Sequence, residues 1–321
     1  MTTASGEEGE VRMEQNAKVK TIFPQTKKNN IIKRTVGEKI FDACNVIFLG
    51  LICFTFIYPF WYLFAISIAD ANKEALSRIW FLPRFYSLDS YKNVLSSKFV
   101  YLGFMWSVIR TVLGTAVALL LSYHLAYALS KRYLPNRNFW TLLLVFTMFF
   151  SGGMVPNFLL VKDLGMMNSI WSLVLPGCIS AYNITIMRNF LMSIPDSLEE
   201  SAHIDGANDL VILYKIFFPL SLPILATVGL WDAVGHWNAW FDAMIYITSP
   251  EKQVLQVMLR RIVLEGSNSL VTLYGEEVEV TMTPETIKAA VTMVTTLPIL
   301  IVYPFIQKYF VKGVMVGSLK G

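Results

Sequence analysis

Charge is scarce in this sequence: only 16% of its 321 residues are Asp, Glu, Lys or Arg, against 55% hydrophobic residues and a mean hydropathy of +0.51. That balance excludes an ordinary soluble domain. Cysteine and histidine are also few. Cys44, Cys53 and Cys178 all fall in apolar runs and form no metal or disulfide framework. His124, His203 and His236 stand at no zinc-like spacing. No Gly-x-x-x-x-Gly-Lys-Ser/Thr phosphate loop occurs, so ATP chemistry has to reside on another polypeptide. No basic-aromatic patch points to nucleic acid, and membrane topology explains the basic residues better. The absence of a paired nucleophile and base leaves an intramembrane enzyme unsupported.

What is present is a series of apolar runs near the roughly 20 residues that cross a bilayer as a helix. Residues 1–38 are polar and basic and read as a cytoplasmic tail without a cleavable signal. The remainder, 39–321, reads as one all-α polytopic membrane domain. Six spans are expected, at about 45–68, 104–129, 139–160, 170–191, 217–247 and 287–310. Ser151-Gly152-Gly153 and Pro156 interrupt the third, and Pro176 with Gly177 the fourth, as residues that bend or break helices. In the connection after span one, Trp80, Phe81, Phe85 and Tyr86 read as an interfacial aromatic cluster. Ser87 to Tyr91 offers capping residues for a short surface helix. Sixteen Lys and Arg residues fall on the side of the two termini and nine on the other, which puts both ends in the cytoplasm.

Between spans four and five lie about 26 residues, Ser193 to Phe218, which read as helix, turn, helix. Ser193 can cap, Pro195 suits the first turn, Asp196, Glu199 and Glu200 favour the positive end of the helix dipole, and Gly206 can end it. Glu199 and His203 pair at i, i+4. A second helix, about 208–216, is expected to stop before Pro219, with Leu210, Leu213, Ile216 and Phe217 as its apolar stripe. Small Ser201, Ala202, Gly206 and Ala207 allow close approach of another protein, so the segment reads as a docking knob. The competing reading is an amphipathic hairpin at the lipid interface.

The order Glu200, Ser201, Ala202, Gly206, Ile216, Phe218, Pro219 resembles the coupling-loop motif of ABC import permeases, with Ser201 where Ala is usual and Phe218 where Leu is usual. Ser193-Ile194-Pro195, Ile204-Asp205-Gly206-Ala207, Gly235-His236-Trp237-Asn238 and the ending Gln307 to Gly321 carry the likeness over about residues 40–321, to carbohydrate importers of the maltose permease G-subunit type. Ser151 to Pro156 is similar to the branch with polysaccharide and alginate-type permeases. The resemblance implies a type I importer fold with six spans in a prokaryotic cell membrane. It also implies a second permease, two ATPase subunits carrying ATP and magnesium, an external solute-binding protein and an oligosaccharide substrate. On this chain it implies no cofactor and no catalytic site, and it assigns ATPase coupling to Glu199, Glu200, Ser201, Ala202, Asp205, Gly206, Ala207, Ile216 and Pro219.

Span five is unusually polar and aromatic. Trp237, Asn238 and Trp240 read either as the lining of a sugar path or as helix packing and interfacial belt. Asn157 and Asn183 sit near helix irregularities and either touch substrate or bond neighbouring helices. Arg110 reads as a helix-pairing or snorkelling arginine. The connection 249–286, with Glu265, Glu276, Glu277 and Glu279 and the alternation of Val278, Val280 and Met282, reads as an outer loop with a small strand pair. By resemblance this loop reaches toward the binding protein and residues 314–321 contact the ATPase pair; the competing readings are a solvated loop and a frayed end. An ion- or proton-coupled secondary transporter shares the broken helices, but it calls for an internal repeat and several midplane carboxylates, of which Asp232 is the one loose match.

Overall fold

The computed structural model describes residues 35–73, 75–265 and 283–318. Most of the expected tail, the strand pair within 266–282 and the last three residues lie outside the described residues. All regular elements described are helical, and the β pairing among them is an isolated bridge between Ala69 and Tyr86.

The chain divides into two compact units after Tyr58. Helix α1, Val36–Ser67, starts in the first unit, well before the expected 45. The early start has a local cause. Thr35 Oγ1 accepts from the Glu38 amide at 3.3 Å while the Glu38 carboxylate accepts from the Thr35 amide at 2.8 Å, a reciprocal cap. After the charged first turns its side chains from Val46 to Tyr58 are nearly all apolar and mostly exposed, as suits a helix in contact with hydrocarbon.

In the second unit, the end of α1 buries Ala65, Ile66 and Ser67, and the Ser67 hydroxyl bonds the Tyr91 hydroxyl at 2.8 Å on α2, Asp89–Ser96. The expected surface helix is present; its cap position is Leu88, which makes no side-chain cap bond, and Ser87 Oγ accepts from the Asp89 amide at 3.1 Å just ahead of it. Trp80, Phe81, Phe85 and Tyr86 are exposed together, as an interfacial group should be.

Helix α3, Lys98–Ser130, is the axis of the unit. Gly103, Ser107, Arg110, Gly114, Ala118, Ser122 and Ala126 recur along one buried side at intervals of three or four. All but Arg110 are small, which lets neighbouring backbones approach closely. A Cβ on Gly103 would lie 2.9 Å from the sulfur of Met258, and one on Gly114 would lie 2.5 Å from Nε2 of His236. The partners are α10, Leu222–Asn238, α7, Ala181–Leu191, and α12, Leu255–Glu265, whose first amide donates to Ser107 Oγ at 2.9 Å.

The third expected span is two helices, α4, Arg137–Phe149, and α5, Met154–Asp163, bent by 111° at the Ser-Gly-Gly break, where Gly153 takes φ +85°. The fourth is α6, Trp171–Val174, and α7, parted at Pro176 and at Gly177 with φ +80°. After α8, Asp196–Ile204, comes α9, Asp209–Leu220, set at 78° to α10. Helix α11, Phe241–Tyr246, follows α10 after a break at Ala239 and Trp240, and α13, Pro284–Ser318, closes the chain. Among the described residues three helices are long and apolar enough to cross a membrane, or five spans if each bent pair counts as one. The broken α6–α7 segment is not among those five.

Gly114→Leu should force the His236 ring out of its seat and destabilise the unit by about 1–3 kcal/mol, the usual penalty of overpacking. Thermal unfolding of the purified protein in detergent should show the loss, and His236→Ala in the same chain should recover most of it.

Candidate functional site

Between α7 and α10 the chain leaves the helical bundle and returns to it. Helix α8 begins after Pro195, which occupies the cap position, and its first turn carries Asp196 and Glu199. Ser193 is not the cap: its hydroxyl donates to the Phe190 carbonyl at 2.6 Å. The end of α8 is closed by Gly206, with φ +81°. The Gly206 amide donates to the His203 carbonyl at 3.0 Å and the Ala207 amide to the Ala202 carbonyl at 2.9 Å, the two bonds of a Schellman motif. Asn208 then caps α9 by accepting from the Val211 amide at 2.9 Å.

Helix α9 does not stop before Pro219. It passes through a π-helical turn, Leu213–Phe217, and a last turn, Phe218–Leu220, that holds Pro219 near its start, where a missing amide is tolerated. Its buried stripe is Ile212, Leu213 and Phe217 with Ile216 half-buried, and the expected Leu210 is exposed. The extra residue of a π turn changes which side chains face inward.

Helix α8 has two faces. Ser197, Glu200, Ser201, Ile204 and Asp205 point to solvent, and Ile204 is 87% exposed. On the other side Glu199 and Ala202 face inward. Ala202 is buried in a cluster with Tyr127, Met187, Ile212 and Phe217, and Ala207 packs against that cluster. Ala202 and Ala207 therefore let α8 approach its own chain, not another protein, and Glu199 is engaged inside: its Oε2 lies 2.5 Å from Lys131 Nζ. His203 Nε2 sits 4.0 Å from Glu199 and 3.7 Å from Asp209, between the two helices. A cleft of about 310 Å³ opens beside α8, lined by Lys131, Tyr133, Asp196, Glu199, Glu200 and His203. The sequence does not single out Ile204, because exposure is a tertiary fact; its place one turn after Glu200 is the available signal.

The path candidates separate. Trp237 is buried, with its indole N–H donated to the Thr295 carbonyl of α13 at 3.1 Å and Phe104 edge-on to it at 5.9 Å. It is a packing residue. The Arg260 guanidinium covers one face of the half-buried Trp240 ring, 3.7 Å from its centre. Asn183 donates to Asp232 Oδ1 at 2.8 Å, joining α7 to α10. Asn157, in the first turn of α5, and Asn238 are exposed and are not brought near that pair by any bond. Next to Asn183 and Asp232, the exposed rings of Tyr182 and Trp231 lie 6.2 Å apart. Gly235 is exposed one turn beyond Trp231, with open space where a side chain would stand. Tyr182 and Trp231 thus keep exposed faces beside a polar pair, which nothing in the sequence distinguishes from Trp237 and Trp240.

Arg110 pairs helices. It is 2% exposed, donates to the Ala239 carbonyl at 3.0 Å where α10 ends, and pairs with the Asp242 carboxylate at the start of α11.

Residues 125–316 match the family described as binding-protein-dependent transport system inner membrane component. Over 288 residues, 88% of this chain and 99% of the relative, the sequence is 44% identical to the polygalacturonan/rhamnogalacturonan transport system permease protein YtcP of Bacillus subtilis (strain 168). Protein LplC of the same organism is 41% identical over 288 residues, 89% of this chain and 97% of its own length. Among solved structures, one chain of a bacterial ABC transporter involved in the import of the acidic polysaccharide alginate is similar with a TM-score of 0.78 and 34% identity, over 86% of this chain and 99% of that one.

Gly206→Val should break the Schellman closure, because a β-branched residue at φ +81° is strained by about 1–2 kcal/mol, whereas Gly206→Asn should be tolerated. Hydrogen exchange should show the amides of Gly206 and Ala207 losing protection in the first variant and keeping it in the second.

Proposed function

The chain belongs to the binding-protein-dependent transport system inner membrane component family, and we infer from that membership that it is one of two permease subunits of an ATP-driven importer. Its all-helical architecture is that of a type I ABC importer permease. Family membership sets aside the ion-coupled transporter. The partners are a second, related permease, two ATPase subunits that hold ATP and magnesium, and an external solute-binding protein. The complex sits in a prokaryotic cell membrane. Six spans cross it: α1, α3, α4 with α5, α6 with α7, α9 with α10, and α13. Both ends are cytoplasmic, with 1–38 as a tail.

The observation that carries the coupling role is the two-faced α8. One side is fastened to the bundle by Glu199 and Ala202, while the other presents Glu200, Ser201, Ile204 and Asp205 with no internal contact to explain an 87% exposed isoleucine. That face, ended by the Gly206 turn, docks on an ATPase subunit, with Ile204 as its apolar anchor. Ile216 and Pro219 shape the return into span five.

The cargo is an oligosaccharide cut from a polysaccharide. Names of relatives support it, one carrying polygalacturonan/rhamnogalacturonan transport and one alginate import. Tyr182 and Trp231 support it physically, since aromatic faces stack on sugar rings and the adjacent Asn183–Asp232 pair can bond hydroxyls.

Ile204→Asp should cost about 2 kcal/mol or more of docking energy, roughly a thirtyfold loss of affinity for the ATPase. Copurification of the ATPase with the tagged permease reads this directly, and wild-type retention would overturn the docking face. For the cargo, proteoliposomes holding the whole transporter and its binding protein should take up labelled oligogalacturonides, and Trp231→Ala should reduce that uptake while ATPase copurification is unchanged.

A further inference from the structure

The buried cation at the end of α3 has no place in the function described so far. Lys131 belongs to the short basic loop 131–137, whose charges mark the cytoplasmic side, and a charge with that role alone would stand in solvent. Instead Lys131 is 7% exposed. Its Nζ lies 2.5 Å from Glu199 Oε2 and over two aromatic faces, 4.2 Å from the ring centre of Tyr127 and 4.1 Å from that of Phe217. The three partners come from three elements: Tyr127 from α3, Glu199 from α8, and Phe217 from the π turn that leads into α10.

Lysine is among the side chains least often fully buried, and it is found so when paired. Stability alone does not call for such a pair, because well-packed hydrophobic groups often serve as well or better. A charge offers directionality instead. Apolar contacts let a helix slide, whereas an ammonium held by one carboxylate and two ring faces resists displacement along each of those directions. The neighbouring pair of Arg132 and Asp196, 3.5 Å apart and exposed, contributes little beside it.

We propose that Lys131 is the positioning residue of energy coupling: it fastens the ATPase-docking helix to α3 and to the root of α10, so that a displacement of α8 carries both helices with it. The inference rests on the reading of α8 as the docking element.

The test uses the complete transporter in proteoliposomes, with partner permease, ATPases and binding protein, and reads sugar taken up per ATP hydrolysed together with the amount of copurified ATPase. Lys131→Met and Glu199→Gln should both assemble and should lose about tenfold in sugar moved per ATP, within the range usual for coupling between sites. Lys131→Arg, which can meet the same carboxylate and rings, should recover most of the loss. A wild-type ratio in either Lys131→Met or Glu199→Gln would overturn the proposal. So would failure of both to assemble, which would make the pair purely structural, or an Arg variant no better than Met. If Lys131→Met alone fails to assemble, Glu199→Gln decides by its ratio. Failure of the unaltered chain to retain an ATPase would overturn the docking reading instead.

Discussion

Helix α3 is gripped by a buried cation at each of two levels, and the rest of the bundle is arranged around that grip. Arg110 and Lys131 are separated by about 31 Å of helical rise, taken at 1.5 Å per residue. This is close to the roughly 30 Å depth of a bilayer's hydrocarbon core. Each cation meets the same neighbouring stretch of chain where its helix is irregular: Arg110 at the break after α10, and Lys131 at the π turn before it. Between those levels α3 and α10 meet with a small residue facing a bulky one, Gly114 against His236 and Gly229 against Leu119, and among the described residues no ion pair joins them.

Irregular backbone in a membrane survives only where its polar groups find partners inside the protein. Three irregular or terminal places in this chain follow that rule with side chains from other helices. The Ala239 carbonyl accepts from Arg110, the Leu129 carbonyl near the end of α3 accepts from Arg188 at 2.9 Å, and the Thr295 carbonyl beside a proline-containing stretch of α13 accepts from Trp237. Residues that look like candidates for substrate contact are thus engaged in holding the bundle, and the groups left with open faces are less conspicuous.

Much of the architecture was legible before any coordinates. Long apolar runs announced α1, α3 and α13, and the Gly and Pro positions marked where the third and fourth segments break. Helix starts are hidden in the sequence where a reciprocal cap such as Thr35 with Glu38 lengthens a helix through polar residues. The docking segment was recognisable, but its faces were not. Glu199 and Glu200 are adjacent in sequence and lie on different faces of the helix, a difference of about 100° that a motif does not record. The π turn added a further rotation, moving Leu210 outward and Ile212 inward. Trp237 and Trp231 differ by no property of the residue itself; one donates its indole N–H to a carbonyl and is buried, while the other is exposed.

The small-residue side of α3 also bears on how such a chain tolerates change over generations. Gly103, Ser107, Gly114, Ala118, Ser122 and Ala126 occupy one helix, while the bulky groups that fill the space, Met258 and His236 among them, sit on others. A bulky partner can be exchanged for another of similar volume with local repacking, but a small position on α3 has no compensating change within its own helix. Drift should therefore be uneven, with substitutions accumulating on the helices that surround α3 and the stripe itself nearly frozen, so that one span carries most of the sequence memory of the fold.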